Sequence, residues 1–255
     1  LRFLELYSTV MEGEQLRVYQ ETLREYGDSP CYGDVVAETR FLQVGNMVYP
    51  GSPDTPLQDR YGDRGFDACF KSHKGTYSYH KGVEDCLSLD TIGSYSQKIK
   101  HVLESLQHSE GILFVYTNYI KGGLLPLLLA LESQGYQKYD KQQAFTSRNK
   151  DPISIEGKHR SEYSNVSTFR QASYMVISSV EGLTHNFEEE YRVLASPENK
   201  DGSKIKVVIG STVASEGLDF KNIRAIHILE PWHNLNKLEQ VVGRGVRNCS
   251  HKDLS

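Results

Sequence analysis

Cysteine is scarce in this chain: four residues in 255, at positions 31, 69, 86 and 249, with no CxxC pair and no Cys/His spacing suited to zinc. A disulfide framework and a structural zinc site are therefore not expected, and the pattern is that of free thiols in a reducing compartment. None of the nine histidines falls in an HExxH array and there is no GxSxG elbow, so no metal is indicated and a hydrolase nucleophile of that type is excluded. Long apolar runs are missing as well. Ile112 to Leu131 is broken by Asn118, Lys121, Gly122, Gly123 and Pro126, which makes it a strand, a turn and a helix rather than a bilayer span, so no membrane partner is expected. Nor is there a GxxxxGK[ST] loop or a strand ending in Asp-Glu, the two devices that cradle nucleotide phosphates and hold magnesium. If the chain handles a nucleotide, the other half of that site is expected outside it.

What remains is ordinary for a soluble globular protein: 38% hydrophobic and 24% charged residues, enough for one large core or two modest ones. The formal net charge of −4 does not announce a nucleic-acid partner, but it is unevenly spread. Residues 136–160 hold six Lys/Arg against three Asp/Glu, and residues 200–255 hold nine against six. Either surplus can be a solvated face, and for 136–160 that is the plainer reading. Leu1 is not a start methionine, no charged-then-apolar leader follows it, and Ser255 is an abrupt end, so a piece of something longer is expected.

Periodicity divides the chain in two. Leu16, Tyr19, Leu23 and Tyr26 form one helical stripe in Glu14–Tyr26, closed by Gly27 as a left-handed cap. From Ser29 to Asp90 the chain is rich in Gly, Pro, Asp and Tyr with no sustained period, which predicts an irregular, partly helical accessory region within 1–93. Order returns at Tyr95–His108, where Ile99, Val102, Leu103 and Leu106 recur at helical spacing behind Ser94 as the expected N-cap. Then strands alternate with helices: 112–116, a Leu-rich helix to Gly135, 174–178, a helix over 187–194, 206–209, 225–229, and a helix over 235–247. Such alternation implies an α/β domain over 94–255, a parallel sheet with helices on both faces and ligands at the carboxyl ends of its strands. Thr117, Ser211 and Glu230 all follow such ends.

Two stretches carry chemistry. Ser211-Thr212-Val213-Ala214-Ser215-Glu216-Gly217-Leu218-Asp219 follows one strand, and Gln240-Val241-Val242-Gly243-Arg244-Gly245-Val246-Arg247 follows the next. In this order they resemble motifs V and VI of superfamily 2 helicases. Cleaving a terminal phosphoanhydride requires positive charge on the equatorial oxygens as the transition state forms, and an arginine from a second domain can supply it on closure. Arg244 and Arg247, three apart on the expected helix, project from one face, and Gly243 and Gly245 leave room for a close domain contact. The bland alternative, a solvated face with poor helix propensity, is disfavoured by the motif that precedes it. Gln240 lies one turn earlier and suits a phosphate or the opposing domain; as a surface glutamine it would do neither. The resemblance places a nucleotide contact at Gly217-Leu218-Asp219. Ser211 and Thr212, and equally Thr117 and Asn118 after the earlier strand, offer hydroxyls and backbone N–H groups for a nucleic-acid phosphate, or serve as plain caps and turns. The second pair resembles motif IV. Trp232 and Tyr116 could stack on bases but suit core anchors better.

The likeness narrows when longer stretches are taken together. YSQKI at 95–99, GILFVYTNYIKGGLLPLLLALESQGY at 111–136, NKDGSKIKVVIGSTVASEGLDF at 199–220 and EPWHNLNKLEQVVGRGVRNCSH at 230–251 resemble the C-terminal motor half of helicases encoded by large nucleocytoplasmic DNA viruses, a group similar to the poxvirus early transcription factor small subunit and nucleoside triphosphatase I. MEGEQ at 11–15, NMVYP at 46–50 and YGDRGF at 61–66 are similar to pieces such proteins carry between their motor halves. The resemblance implies a RecA-like fold and nucleotide contacts at Gly217, Asp219, Gln240 and Gly243. It implies Arg244 and Arg247 as arginine fingers, and strand contacts at Thr117, Asn118, Ser211 and Thr212. ATP and Mg are the implied cofactors, both requiring an N-terminal RecA-like domain of the same protein. A DNA or RNA single strand and a viral RNA polymerase or transcription factor subunit are the implied partners, in the host cytoplasm (virus factory) or the virion. The alternative is a promoter- or polymerase-docking module whose ATPase activity is secondary or lost. Glu216 departs from the family pattern and is assigned no contact.

Overall fold

In the computed structural model the described residues are 7–26, 35–180, 182–184, 186–211, 220–230, 239, 242 and 243. The helices among them are α1 (Gly13–Tyr26), α2 (Val35–Asn46), α3 (Gly62–Cys69), α4 (Leu89–Tyr95), α5 (Gln97–His108), α6 (Leu125–Ser133) and α7 (Phe187–Leu194). The strands are β1 (Phe70–His73), β2 (Thr76–Tyr79), β3 (Ile112–Tyr116), β4 (Gln137–Lys138), β5 (Ser173–Ile177), β6 (Val207–Gly210) and β7 (Ile223–Ile228). Of the expected helix over 235–247 only 239, 242 and 243 are described, all three helical; the rest of it and the Gly27 cap lie outside the described residues.

Five strands form one sheet in the order β4-β5-β6-β3-β7, every pair parallel. Their sequences are near-continuous apolar runs because both faces are covered. Alternate residues go to opposite sides: Leu113, Val115, Tyr174, Val176, Val207 and Ile209 enter one core, while Phe114, Tyr116, Met175, Ile177 and Val208 enter the other. The first core is closed by α5, α6 and the elements before residue 93, through Val18, Val44, Phe66 and Leu87 among others. The second is closed by Leu194 of α7 and by Phe220.

The Ser29–Asp90 stretch is more regular than its composition suggests. It holds α2, α3 and a hairpin, β1 paired antiparallel with β2, turned by Lys74 (φ 50°) and Gly75 (φ 79°). Its inner face is aromatic, with Phe70 stacked on Tyr79 and Phe66 edge-on to Tyr77. Arg60, 1% exposed, bonds Tyr49 O at 2.8 Å and Glu14 Oε2 at 2.5 Å, tying this stretch to α1. The helix expected over Tyr95–His108 begins later. Ser94 lies inside α4, and Ser96, in extended conformation, accepts the Ile99 N–H and caps α5. Before α6 the chain makes a π-helical turn over Ile120–Leu124, and Pro126 sits in the first turn of α6, where its missing N–H is harmless.

Candidate functional site

Adjacent strands β6, β3 and β7 deliver their carboxyl ends side by side. Thr117 N–H bonds Gly210 O at 3.1 Å, Ser211 N–H bonds Ile177 O at 3.1 Å, and Leu229 N–H bonds Tyr116 O at 3.0 Å. At this edge Glu230 is wholly buried. Its Oε1 accepts from the Thr117 hydroxyl at 2.5 Å and from Asn46 Nδ2, and its Oε2 accepts the Asn118 N–H at 2.9 Å. Lys98 Nζ stands behind, donating to Asn46 Oδ1 at 3.0 Å and to Leu229 O at 2.5 Å. Burial raises the Glu230 pKa against the pull of these donors and of Lys98, and burial lowers that of Lys98 against the pull of Glu230.

The expected strand contacts are thus differentiated. Thr117 is fully buried and Ser211 is 2% exposed, so in this conformation neither hydroxyl faces solvent. Thr117 turns inward to hold Glu230, and the Asn118 N–H is engaged by the same carboxylate. Asn118 itself is half-buried; its Oδ1 accepts from Tyr116 Oη at 3.2 Å, which leaves its NH2 as a donor. Tyr116 is a core anchor, 1% exposed. Gly123 has no side chain because Thr117 occupies the space: a Cβ there would sit 2.2 Å from Thr117 Oγ1. Gly243 is exposed, with no atom of the described residues within 4 Å of where a Cβ would stand. Thr212, Gly217, Asp219, Trp232, Gln240, Arg244 and Arg247 lie outside the described residues.

Sequence reasoning missed Asn46 and Lys98 and gave Glu230 no role. Only Glu230 left a signal, as a carboxylate at the end of a strand otherwise flanked by apolar residues.

The opposite edge of the sheet holds a cleft of about 580 Å³ between Gln107, Glu110, Glu156, Arg170, Lys206 and Arg224. It is a weaker candidate than the strand-end edge. Arg170 is paired with Glu156 and with Asp201 at 3.2 Å, Lys206 Nζ is held by Ser109 O, and parallel sheets present ligands at the other edge. The basic segment 138–160 is divided between the two edges. Its start follows the carboxyl end of β4, whereas Gly157 abuts Gln107 and Ser154 N–H bonds Lys158 O beside the cleft.

Comparison with known proteins fits this architecture. Residues 137–249 match the family described as helicase conserved C-terminal domain. A protein of Acanthamoeba polyphaga mimivirus bearing the name of an ATP-dependent RNA helicase is 26% identical over 245 residues, covering 93% of this chain and 33% of its own length. One of Invertebrate iridescent virus 3, named as a helicase, is 30% identical over 216 residues, 83% of this chain and 19% of its own. The early transcription factor 70 kDa subunit of vaccinia virus (strain Ankara) is 30% identical over 161 residues, 63% of this chain and 22% of its own. The chain spans a third or less of the length of each of these relatives. The matched segment supplies β4, β5, β6 and β7, and β3, which precedes it, pairs between β6 and β7 in the same sheet. Residues 137–249 therefore belong to the helicase conserved C-terminal domain family, within a RecA-like α/β sheet, and the chain's relatives are helicase-named and transcription-factor proteins of large DNA viruses.

Proposed function

We propose that this chain is the C-terminal motor half of an ATP-driven nucleic-acid helicase or translocase, with 94–255 as its second RecA-like domain and 1–93 as an accessory region between the motor halves. The observation that carries this reading is the convergence of three neighbouring strand ends, bearing Ser211, Thr117–Asn118 and Glu230, in a sheet built largely from the family segment. In this reading a DNA or RNA single strand crosses that edge. Asn118 and Thr212 meet its phosphates, and Thr117 and Ser211 shape the edge from beneath.

In this reading ATP and Mg are gripped mainly by an N-terminal RecA-like domain of the same protein, which supplies a phosphate loop and a magnesium carboxylate. Gly217, Asp219, Gln240 and Gly243 would contact the nucleotide from this side. Arg244 and Arg247 would stabilise charge on the transferring phosphoryl group as the domains close. The likeness to a viral transcription factor subunit supports a transcription or genome-handling setting with an RNA polymerase or transcription factor subunit as partner; the location proposed for it is the host cytoplasm or the virion.

Phosphate contact carries no base information, so binding of a labelled single-stranded oligonucleotide by this chain should be weak and indifferent to sequence. Amide, hydroxyl and backbone N–H donors neutralise no phosphate, so fluorescence anisotropy should give a log–log salt slope no steeper than the roughly −0.7 of a single neutralised phosphate. Asn118→Ala should weaken binding several-fold without changing the fold. A slope several times steeper, or an unaltered Asn118→Ala, would move the strand path elsewhere. A second reading, a docking module with little or no ATPase activity, draws on the likeness to the vaccinia transcription factor subunit. Turnover by the protein with both motor halves separates the two.

A further inference from the structure

Three segments far apart in sequence meet at Glu230. Asn46 is the last residue of α2, 184 residues away; Lys98 lies on α5; Thr117 and Asn118 follow β3. Asn46 and Glu230 are both 0% exposed, so each polar atom must find its partner within the protein. The order of donors and acceptors has one solution. Lys98 can only donate, an ionised Glu230 can only accept, and Asn46 can join them only with Oδ1 toward the ammonium and Nδ2 toward the carboxylate. A buried carboxylate is tolerated because positive charge is relayed to it through this amide. Among the described residues Tyr119 on the same turn also feels Glu230: burial raises its pKa, a hydrogen bond with Thr39 opposes this, and the Glu230 charge adds to the rise.

We infer that Asn46 is a positioning residue for the nucleic-acid edge: it links Lys98 to Glu230, Glu230 fixes the Thr117–Asn118 turn, and the accessory region thereby sets the geometry of strand contact. The inference rests on reading Asn118 as a strand contact. It assigns α2 a task that a spacer would not have, because a displacement of its last residue unseats the carboxylate that orders the turn. Glu230 also leads directly into residues 231–247, which carry the candidate arginines.

A reciprocal exchange tests this. Asn46→Asp sets two carboxylates against each other, and Glu230→Gln brings two amide donors together or forces Asn46 to present a donor to Lys98. Each single substitution should weaken single-stranded oligonucleotide binding by about tenfold and speed hydrogen exchange of the Asn118 amide. The double variant Asn46→Asp/Glu230→Gln rebuilds the ladder with the negative charge moved one step toward Lys98. Its glutamine NH2 donates to position 46 and to Thr117 Oγ1, whose hydroxyl hydrogen turns to Tyr119 O, and its oxygen accepts from Asn118 N–H. It should return affinity to within about threefold of the parent and restore Asn118 protection. All affinities are read by anisotropy well below the melting temperature of every variant.

Singles that lower melting temperature but bind as the parent does would overturn the inference, leaving the network a purely structural one. So would a double variant no better than the worse single. A parent chain that fails to bind the oligonucleotide at low salt overturns the functional reading, and this inference falls with it. An Asn118→Ala that loses affinity while the Asn46 and Glu230 variants do not would spare that reading and sink only the inference.

Discussion

Buried carboxylates show what single residues in this protein are asked to do. Glu230 and Glu132 are both fully hydrogen-bonded, the latter by Tyr174 Oη at 2.7 Å and the N–H groups of Ala144 and Phe145 at 3.1 and 2.7 Å. Glu190 is not. It is 1% exposed, and neither of its oxygens has a hydrogen-bond partner among the described residues. Burial, with Asp140 and Glu189 adding to it and Lys138 opposing, holds its pKa up at about 7. The unfolded chain releases that proton near the ordinary value of 4.5, so between the two values the folded state binds more protons than the unfolded. Stability from this group is therefore full below about pH 4.5 and is lost as pH rises toward 7. Glu190→Gln should stabilise the fold at pH 8 by an amount on the order of 2 kcal/mol, read as a higher melting temperature, with the gain vanishing near pH 5. A gain that persists at pH 5 would mean that some other property of the glutamine is responsible. None of this could be read from the sequence, where Glu188, Glu189 and Glu190 are three equal carboxylates in the first turn of a helix; only packing distinguishes the third.

Elements were legible where one physical rule decided them. The runs at 112–116, 174–178, 206–209 and 225–229 are strands to within two residues because a parallel strand buried on both faces leaves no alternative to continuous apolarity. Glu14–Tyr26 and 187–194 are helices as their spacing predicts, but the first buries Gln15, Val18 and Thr22, with Gln15 donating to Val44 O and Gly45 O, while Leu16 and Leu23 of the expected stripe are exposed. What escaped was decided by tertiary contact. β4 is two residues long and exists only because β5 pairs with it, and the hairpin's FKSH and TYSY have little apolar alternation outside their aromatic rings. The turn after β3 shows the limit most sharply. Gly122 and Gly123 are indistinguishable in the sequence, yet a Cβ on Gly122 would meet its nearest atom at an ordinary 3.5 Å, whereas one on Gly123 would strike Thr117 at 2.2 Å. Gly122→Ala should thus be nearly neutral. Gly123→Ala should destabilise the chain by roughly 1–3 kcal/mol, as overpacking does, and displace the Thr117 hydroxyl from Glu230. Chemical denaturation of the two variants compares them, and equal costs would argue against the crowding at Thr117.

At the scale of the whole molecule, the sheet assigns the candidate chemistry to one edge and the accessory region to one face. The first core runs without a break from Val18 of α1 through Phe66 of α3 to Val176 and Ile209 of the sheet. A net charge of −4 gives the chain no general attraction for nucleic acid, and the proposed strand path relies on local donors at the strand ends. Hydrolysis is more demanding. A finger arginine acts mainly in the transition state and meets a nucleotide only opposite a phosphate loop, and no GxxxxGK[ST] sequence occurs in these 255 residues. The chain alone should therefore neither hydrolyse ATP nor bind it tightly, and adding an N-terminal motor half should produce turnover. In that two-domain protein Arg244→Ala or Arg247→Ala should reduce kcat by about 10³-fold or more while nucleotide affinity changes much less. Arg→Lys should fail too, because the planar fork spans two oxygens and a point charge does not. Steady-state turnover alongside fluorescent-nucleotide binding measures both quantities. If affinity and turnover drop together, the arginines serve the fold of the helix that carries them, and the charge that completes the reaction must come from elsewhere.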